Sequence, residues 1–376
     1  MVYKALKNWQ LEFKWNNIFD KFIIDNDWID ENLLKNRVER VKTNKLFYHL
    51  NQIDNWIFYA TVEYFKNIWA NWSNLPLTTL MISSPGEVYA WQNLDYTTDT
   101  LPVELPNWFG KWKRIFLSES SQFYLELYLL INWLDQVFSV YNSFRKEESD
   151  ATHLSEFQHI EYEGKTDLEW DKTVFVWLFN YIFNYLYKNN KENLLYFISE
   201  GELNLKKDLV ENWPKIISFK EALDLLYRET WEEKYKEFSL KHFWSWEEVK
   251  LTEILWANVI VEKFPMLQIP FYHAIAKEEV GWVPVAKNAD FILYGYRETI
   301  WAWERIKDKE ILMKKAEIFN LPKDDYLPYL KTRDFEDYKT TSWFGLGWQR
   351  LVQWLTNQPY IYESTVFPRT HLIPNP

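Results

Sequence analysis

The chain contains no cysteine, so disulfides and thiolate metal sites are excluded. Its 6 histidines are scattered and form no His-x-x-x-His pair, which speaks against a structural zinc site. No apolar run reaches the ~18 residues that would cross a bilayer. The nearest, Val174–Tyr187, is interrupted by Asn180 and Asn184 and reads as a buried helix, so no membrane partner is expected. The opening stretch MVYKALKNWQLEFKW lacks the apolar core of a secretory signal, and a cytoplasmic location is expected. Positive charge is also short. A net charge of −11 argues against a protein that coats nucleic acid, while leaving room for a local basic patch.

Glycine is the most unusual shortage. A globular chain of 376 residues would hold ~26 at about 7% usage, and this one holds 8. Tryptophan, normally among the rarest residues, occurs 23 times. The remaining composition is ordinary for a globular protein, at 47% hydrophobic and 26% charged, and the length suits one large domain or two ordinary ones.

Residues 1–34 are polar and aromatic. They read as a helical extension. From Leu34 a long helix is expected, because Leu46, Phe47, Leu50, Ile53, Ile57, Ala60, Val62 and Phe65 recur at three- and four-residue steps. Pro76 and residues 78–85 end it. VFSVYNSF (137–144) and FQHIEYE (157–163) alternate like strands across a polar loop, which predicts an antiparallel hairpin. Residues 166–260 are mostly helical by pattern. Strand character returns in 263–273 and 289–300. The expected fold class is α+β, an antiparallel sheet flanked by helices, with residues 35–376 forming one domain.

The richest segment lies near the C-terminus, where TSWFGLGWQRL runs from a glycine-bearing strand end into an apolar helix. Gly345 and Gly347 would let the backbone approach a flat or anionic ligand closely. Arg350, just inside the helix, offers a fixed fork for phosphate oxygens. This segment and the Phe367-Pro-Arg-Thr370 that comes after it resemble motif 3 of class II aminoacyl-tRNA synthetases, in the form used by the aspartyl and asparaginyl branch. Phe144-Arg145-Lys146-Glu147 with His153-Leu-Ser-Glu-Phe157 resembles motif 2. The helix from Leu34 and the Thr78–Pro85 stretch resemble motif 1 more loosely, with Leu80 standing about where that motif has a proline.

The resemblance covers roughly residues 35–370 and implies a set of roles. Arg145 and Arg350 would be the catalytic groups, holding ATP phosphate oxygens. Phe157 would stack on adenine, Glu147 would accept hydrogen bonds, and His153 would reach the outer phosphates, with Gly345 and Gly347 beneath the nucleotide. FLSESSQFYLE (116–126) resembles the amino-acid pocket of the asparaginyl branch. There Ser120 and Gln122 would hold the amino-acid backbone, and Glu126 would accept from an amide. Leu125 stands where aspartyl enzymes place a lysine. Asp290 and Glu298 would hold Mg2+, and Arg305 would pair with the substrate side chain across the pocket from Glu126. Departures from the family pattern are Gln349, Thr152 and Ile269. A homodimer is implied by motif 1.

Three functions fit these residues. One is an asparaginyl-tRNA synthetase-like ligase that uses ATP and asparagine and charges tRNA. Another is a free-standing asparagine synthetase that makes aspartyl-adenylate for attack by ammonia. The third is an inactive paralogue with a binding role. The resemblance also gives the tryptophan excess a meaning. Trp133, Trp301, Trp303 and Trp343 stand where the family pattern has glycine or another small residue. UGA codons that the source organism reads as glycine, translated here as tryptophan, would produce this. The alternative is a chain that is rich in tryptophan by nature.

Overall fold

A computed structural model describes residues 3–7, 9–13, 16–19, 34–83, 102–108, 110, 114–146 and 151–370. An eight-stranded sheet organises it. Its strands, in chain order, are β1 (Asn71–Trp72), β2 (Gln136–Phe144), β3 (Glu156–Gly164), β4 (Lys215–Ser218), β5 (Val259–Glu262), β6 (Asn288–Ile292), β7 (Glu298–Glu304) and β8 (Ser342–Gly347). Their order across the sheet is β4-β5-β6-β7-β8-β3-β2-β1. The outermost pair at each edge is parallel, and every pair between is antiparallel. The fold class is therefore α+β, as expected. The predicted hairpin is β2–β3, paired from Gln136↔Gly164 to Phe144↔Glu156.

Successive side chains on a strand point to opposite faces. On one face Ile160, Tyr162, Ile300, Ala302, Phe344, Leu346 and Phe291 meet in cross-strand rows and are buried in the main core. Four helices surround the two faces: α1 (Leu46–Asn67), α2 (Gln122–Tyr128), α3 (Leu168–Asn189) and α4 (Trp348–Thr356). The apolar row of α3 covers the core face. Phe175 packs edge-on against Phe344 at 5.8 Å, and Phe179 against Phe291 at 5.3 Å. The Asp167 side chain caps α3 by accepting from the Trp170 N–H at 2.9 Å. α1 lies beside α3. Phe65 stacks on Phe138 at 4.4 Å, and the Tyr64 hydroxyl donates to the Val174 carbonyl at 2.9 Å. Among the described residues no helix is long and apolar enough to cross a membrane.

Three expectations need correction. The described part of residues 1–34 is not helical up to Phe19: it forms short strands at Lys4–Ala5, Leu11–Phe13 and Asn16–Phe19. These are held by distant partners. The Trp246 indole donates to the Leu6 carbonyl, and the Ala5 N–H donates to Glu253, at 2.9 and 2.8 Å. Residues 263–273 are not a strand but a loop with one 3-10 turn at Met266–Gln268, since Pro265 and Pro270 cannot donate to a sheet ladder. The long helix expected from Leu34 is broken at Asn44–Lys45 into Arg37–Thr43 and α1.

Candidate active site

The second face of the sheet carries polar groups and glycines in register. Gly347 pairs with His159, Gly345 with Glu161 and with Trp301, and Trp343 with Glu163 and with Trp303. Asp290 on β6 pairs with Trp301. Strand alternation thus places His159, Glu161, Glu163, Asp290 and three indoles on one surface. The β2–β3 hairpin, α2 and the start of α4 surround it.

At one end of this surface two arginines converge. Arg145 comes directly after β2, and its backbone N–H donates to the Ser155 carbonyl at 3.0 Å. Its guanidinium lies 5.5 Å over the Phe157 ring. Arg350 rises from the first turn of α4. It donates to the Glu298 carbonyl at 2.7 Å, and its other terminal nitrogen lies 3.2 Å from His153 Nε2. Arg145, His153, Phe157, Gly347 and Arg350 line one cavity. Burial, then the nearby Arg297, pulls Arg350 below its ordinary value. A desolvated guanidinium crowded by like charge is stabilised when an anion arrives. Arg297 was not foreseen from the sequence. It bonds Glu248 at 3.1 Å and the Thr152 hydroxyl at 2.7 Å, so the Thr152 departure is accommodated by a hydrogen bond. Gln349 accepts from the Gln158 N–H at 2.9 Å, tying α4 to β3. Ile269 is buried in the main core. Glu147 lies outside the described residues.

Asp290 and Glu298 sit on the adjoining hairpin strands. Burial raises both carboxyls. Glu298 then raises Asp290, and Glu248 raises each, while Arg350 lowers both. Oxygen donors that repel one another fit a hard divalent cation that keeps its waters. Among the described residues there is no group of three or more such side chains, so the protein would supply a sparse ligand set.

At the other end the residues are closely paired. Ser120 and Ser121 donate to Glu161, the Ser121 N–H at 2.8 Å. Arg305 donates from Nε and a terminal nitrogen to both Glu163 oxygens, at 3.0 and 2.7 Å, and donates to Gln122 Oε1 at 2.9 Å. Its Nε is also 3.1 Å from Glu126 Oε2. Glu126 accepts from the Tyr338 hydroxyl at 2.9 Å and pairs with Arg333. Glu126 and Arg305 therefore do not face each other across a gap; they are a direct ion pair. Burial works against the Arg305 charge, but Glu163 and Glu126 outweigh it and hold the group well above its ordinary value. Burial pushes the Glu163 carboxyl up to about 7 against the pull of Arg305. Glu161, Glu163, Arg333 and Tyr338 were missed in the sequence. The pattern His159-x-Glu161-x-Glu163 was the available signal, three polar groups on one face of a strand.

Between the two ends stand the indoles. Trp303 stacks on Trp343 at 4.2 Å and on His273 at 4.4 Å, and Trp301 lies 6.0 Å from Trp343. Trp343 covers Gly345 so closely that a Cβ there would meet its ring at 2.5 Å.

Residues 97–371 match the family of class II tRNA synthetases of the D, K and N group, and the chain belongs to that family. Within it, the asparagine–tRNA ligase of Microcystis aeruginosa is 27% identical over 345 residues, covering 89% of this chain and 72% of that protein. The asparagine–tRNA ligase of Thermococcus gammatolerans is 31% identical over 261 residues, 69% of this chain and 58% of that one. The asparaginyl-tRNA synthetase of Pyrococcus horikoshii, solved with asparaginyl-adenylate, has the same fold. Its TM-score is 0.78 at 24% identity, covering 96% of this chain and 77% of that one.

Proposed function

We propose that the chain activates asparagine with ATP and transfers it to tRNA, as an ATP-dependent, AMP-forming ligase. The observation that carries this reading is the convergence of Arg145, His153 and Arg350 on one cavity beside Gly347. A carboxylate oxygen of asparagine attacks the α-phosphorus of ATP. The bond to the bridging oxygen breaks, and pyrophosphate leaves with its electron pair. Arg145 and Arg350 hold the α-phosphate oxygens as charge builds on them, His153 reaches the outer phosphates, and Phe157 stacks on adenine. Gly345 and Gly347 leave room for the nucleotide, and Glu147 accepts hydrogen bonds beside it. Asp290 and Glu298 would hold Mg2+, which when bound neutralises phosphate charge. The reaction needs no protein base, because the substrate carboxylate is already ionised; positioning sets the rate. A terminal ribose hydroxyl of tRNA then attacks the acyl carbon, and AMP leaves.

At the far end, Ser120 and Gln122 orient the amino-acid backbone, and Arg305 and Glu126 read the side-chain amide. The reading requires the space held by Trp301, Trp303 and Trp343. We place the catalytic unit in residues 35–376, with 1–34 as an extension. A homodimer is supported by the apolar side chains that α1 exposes, among them Tyr48, Phe58 and Tyr59. A cytoplasmic location is consistent with tRNA as partner. Asparagine-dependent pyrophosphate exchange followed by a tRNA-charging assay tests the reading. Exchange with aspartate alone, with ammonia-dependent release of asparagine, would favour the free-standing asparagine synthetase instead.

A further inference from the structure

Ten described residues other than glycine have positive φ, and six of them are tryptophan: Trp9, Trp69, Trp133, Trp231, Trp256 and Trp282. The others are three asparagines, which tolerate this region, and Lys263. None of the described phenylalanines or tyrosines is among them. Left-handed backbone is glycine's region, since a Cβ there crowds the carbonyl. If aromatic bulk were the cause, the other rings would share the habit.

The local structures ask for glycine one by one. Trp231 and Trp256 are the left-handed residues that close helices Phe219–Thr230 and Ser245–Leu255. Trp69 closes α1 in the same way, at φ 63°. Trp282 is the second central residue of a tight hairpin between Val280 and Val283. Gly281 and Trp282 have φ of 54° and 71°, the signature of a turn that requires positive φ at both positions. Trp133 occupies the turn between α2 and β2. Nor does packing compensate at the exposed ones: Trp133 is 94% exposed and Trp282 92%, whereas Trp9 packs on Trp246 at 4.3 Å. An indole held in solvent on a disfavoured backbone has no physical rationale.

The site indoles present the same anomaly through packing. Trp303 and Trp343 are buried, and each indole N–H lacks a hydrogen-bond partner, an arrangement that costs free energy. Together with Trp301 they fill the space between the arginine end and the Arg305–Glu126–Glu163 group on this face. Trp348 differs: its indole donates to Asp54 at 2.7 Å. Trp354 also leaves its indole N–H without a partner, but it packs against Phe179 and Phe183 in the core and not on the site face.

We propose that the natural protein carries glycine, encoded by UGA, at the six left-handed tryptophan positions and at Trp301, Trp303 and Trp343. Removal of the last three indoles joins the two ends of the site into one pocket long enough for an aminoacyl-adenylate. At the six left-handed positions the codon assignment stands on backbone geometry; at Trp301, Trp303 and Trp343 it stands on packing, and the pocket rests on the proposed aminoacylation.

Reading the gene tests the first part. UGA at the nine positions, with UGG at Trp348 and Trp354, is the expected result, and the intact mass of protein purified from its own cells must then match nine glycines. UGG at the left-handed positions overturns the proposal. Stability gives a second reading. Glycine at Trp69, Trp133, Trp231, Trp256 and Trp282 together is expected to raise Tm by about 5 °C, and an unchanged or lower Tm counts against it. Adding Trp301→Gly, Trp303→Gly and Trp343→Gly is expected to raise asparagine-dependent pyrophosphate exchange at least ~100-fold over the chain that carries tryptophan at these positions. UGG at these three codons overturns the pocket. UGA there with an inactive glycine protein upholds the recoding and instead counts against the aminoacylation reading.

Discussion

The two ends of the site are built on opposite principles. At the proposed phosphate end, Arg145 lies over a ring, and Arg350 meets a carbonyl and an imidazole, with the Glu298 carboxylate 3.9 Å away. At the amino-acid end, Arg305 is fully buried and divided between Glu163, Glu126 and Gln122. The contrast shows how one protein treats guanidinium in two ways. In one place it lies against a ring, a carbonyl and an imidazole at a cavity wall. In the other it is a framework, held among carboxylates.

The largest test of this contrast is loss of function at the phosphate end. In the chain with an open pocket, Arg350→Ala or Arg145→Ala is expected to lose ~2–4 kcal/mol of transition-state stabilisation, about 30- to 1000-fold in pyrophosphate exchange, with little change in Tm. Arg305→Ala is expected to do the reverse first. It leaves two buried carboxylates without their shared cation, a loss of ~3–5 kcal/mol that denaturant melts would register before any kinetic assay. Were Arg305→Ala as stable as the parent, the framework description would be wrong.

Glu126→Gln is a milder cut. It keeps a partner for Tyr338 but weakens the pairing with Arg333, and selection against aspartate is expected to relax by roughly tenfold in the ratio of exchange rates. The smallest effect lies outside both ends. Burial pushes the Asp54 carboxyl up to about 7, although the Trp348 indole donates to it. Its folded value lies above its unfolded value of about 4, so its contribution to stability is complete below that pH and is lost as pH rises through about 7. Asp54→Asn is expected to flatten Tm against pH over that window, which thermal melts from about pH 4 to 8 would show.

The phosphate end was legible in the sequence because its parts are local. Gly345, Gly347 and Arg350 fall within one strand–helix turn, and Arg145, His153 and Phe157 within one hairpin. The Arg305 group was only half legible. Gln122 and Glu126 come from α2, Glu163 from β3, and Arg333 and Tyr338 from after β7, so the cluster exists only once the sheet brings them together. Alternation on β3 hinted at Glu163, but nothing in the spacing names its partner. The N-terminal strands were misread for a related reason: their conformation depends on Trp246 and Glu253, far along the chain. Segment 263–273 failed on a local ground, since its two prolines forbid the ladder that its apolar content suggested. The tryptophans show a different kind of limit. Their number was visible and Trp133 stood out from the family pattern, but that Trp9, Trp69, Trp231, Trp256 and Trp282 occupy glycine backbone could be known only from φ.

The two-residue rhythm of β3, β7 and β8 bears on how far such a protein can drift. On the core face the requirement is apolar volume, which many combinations satisfy. On the opposite face the requirement is atomic: a carboxylate at Glu163, almost no side chain at Gly345. Each strand is thus under loose and strict constraint at alternate positions. A relative can differ at most core-facing positions and retain every contact on the other face. Identity as low as 27% to a tRNA ligase is what such a ladder allows. Divergence among relatives should be read strand by strand, with odd and even positions scored separately.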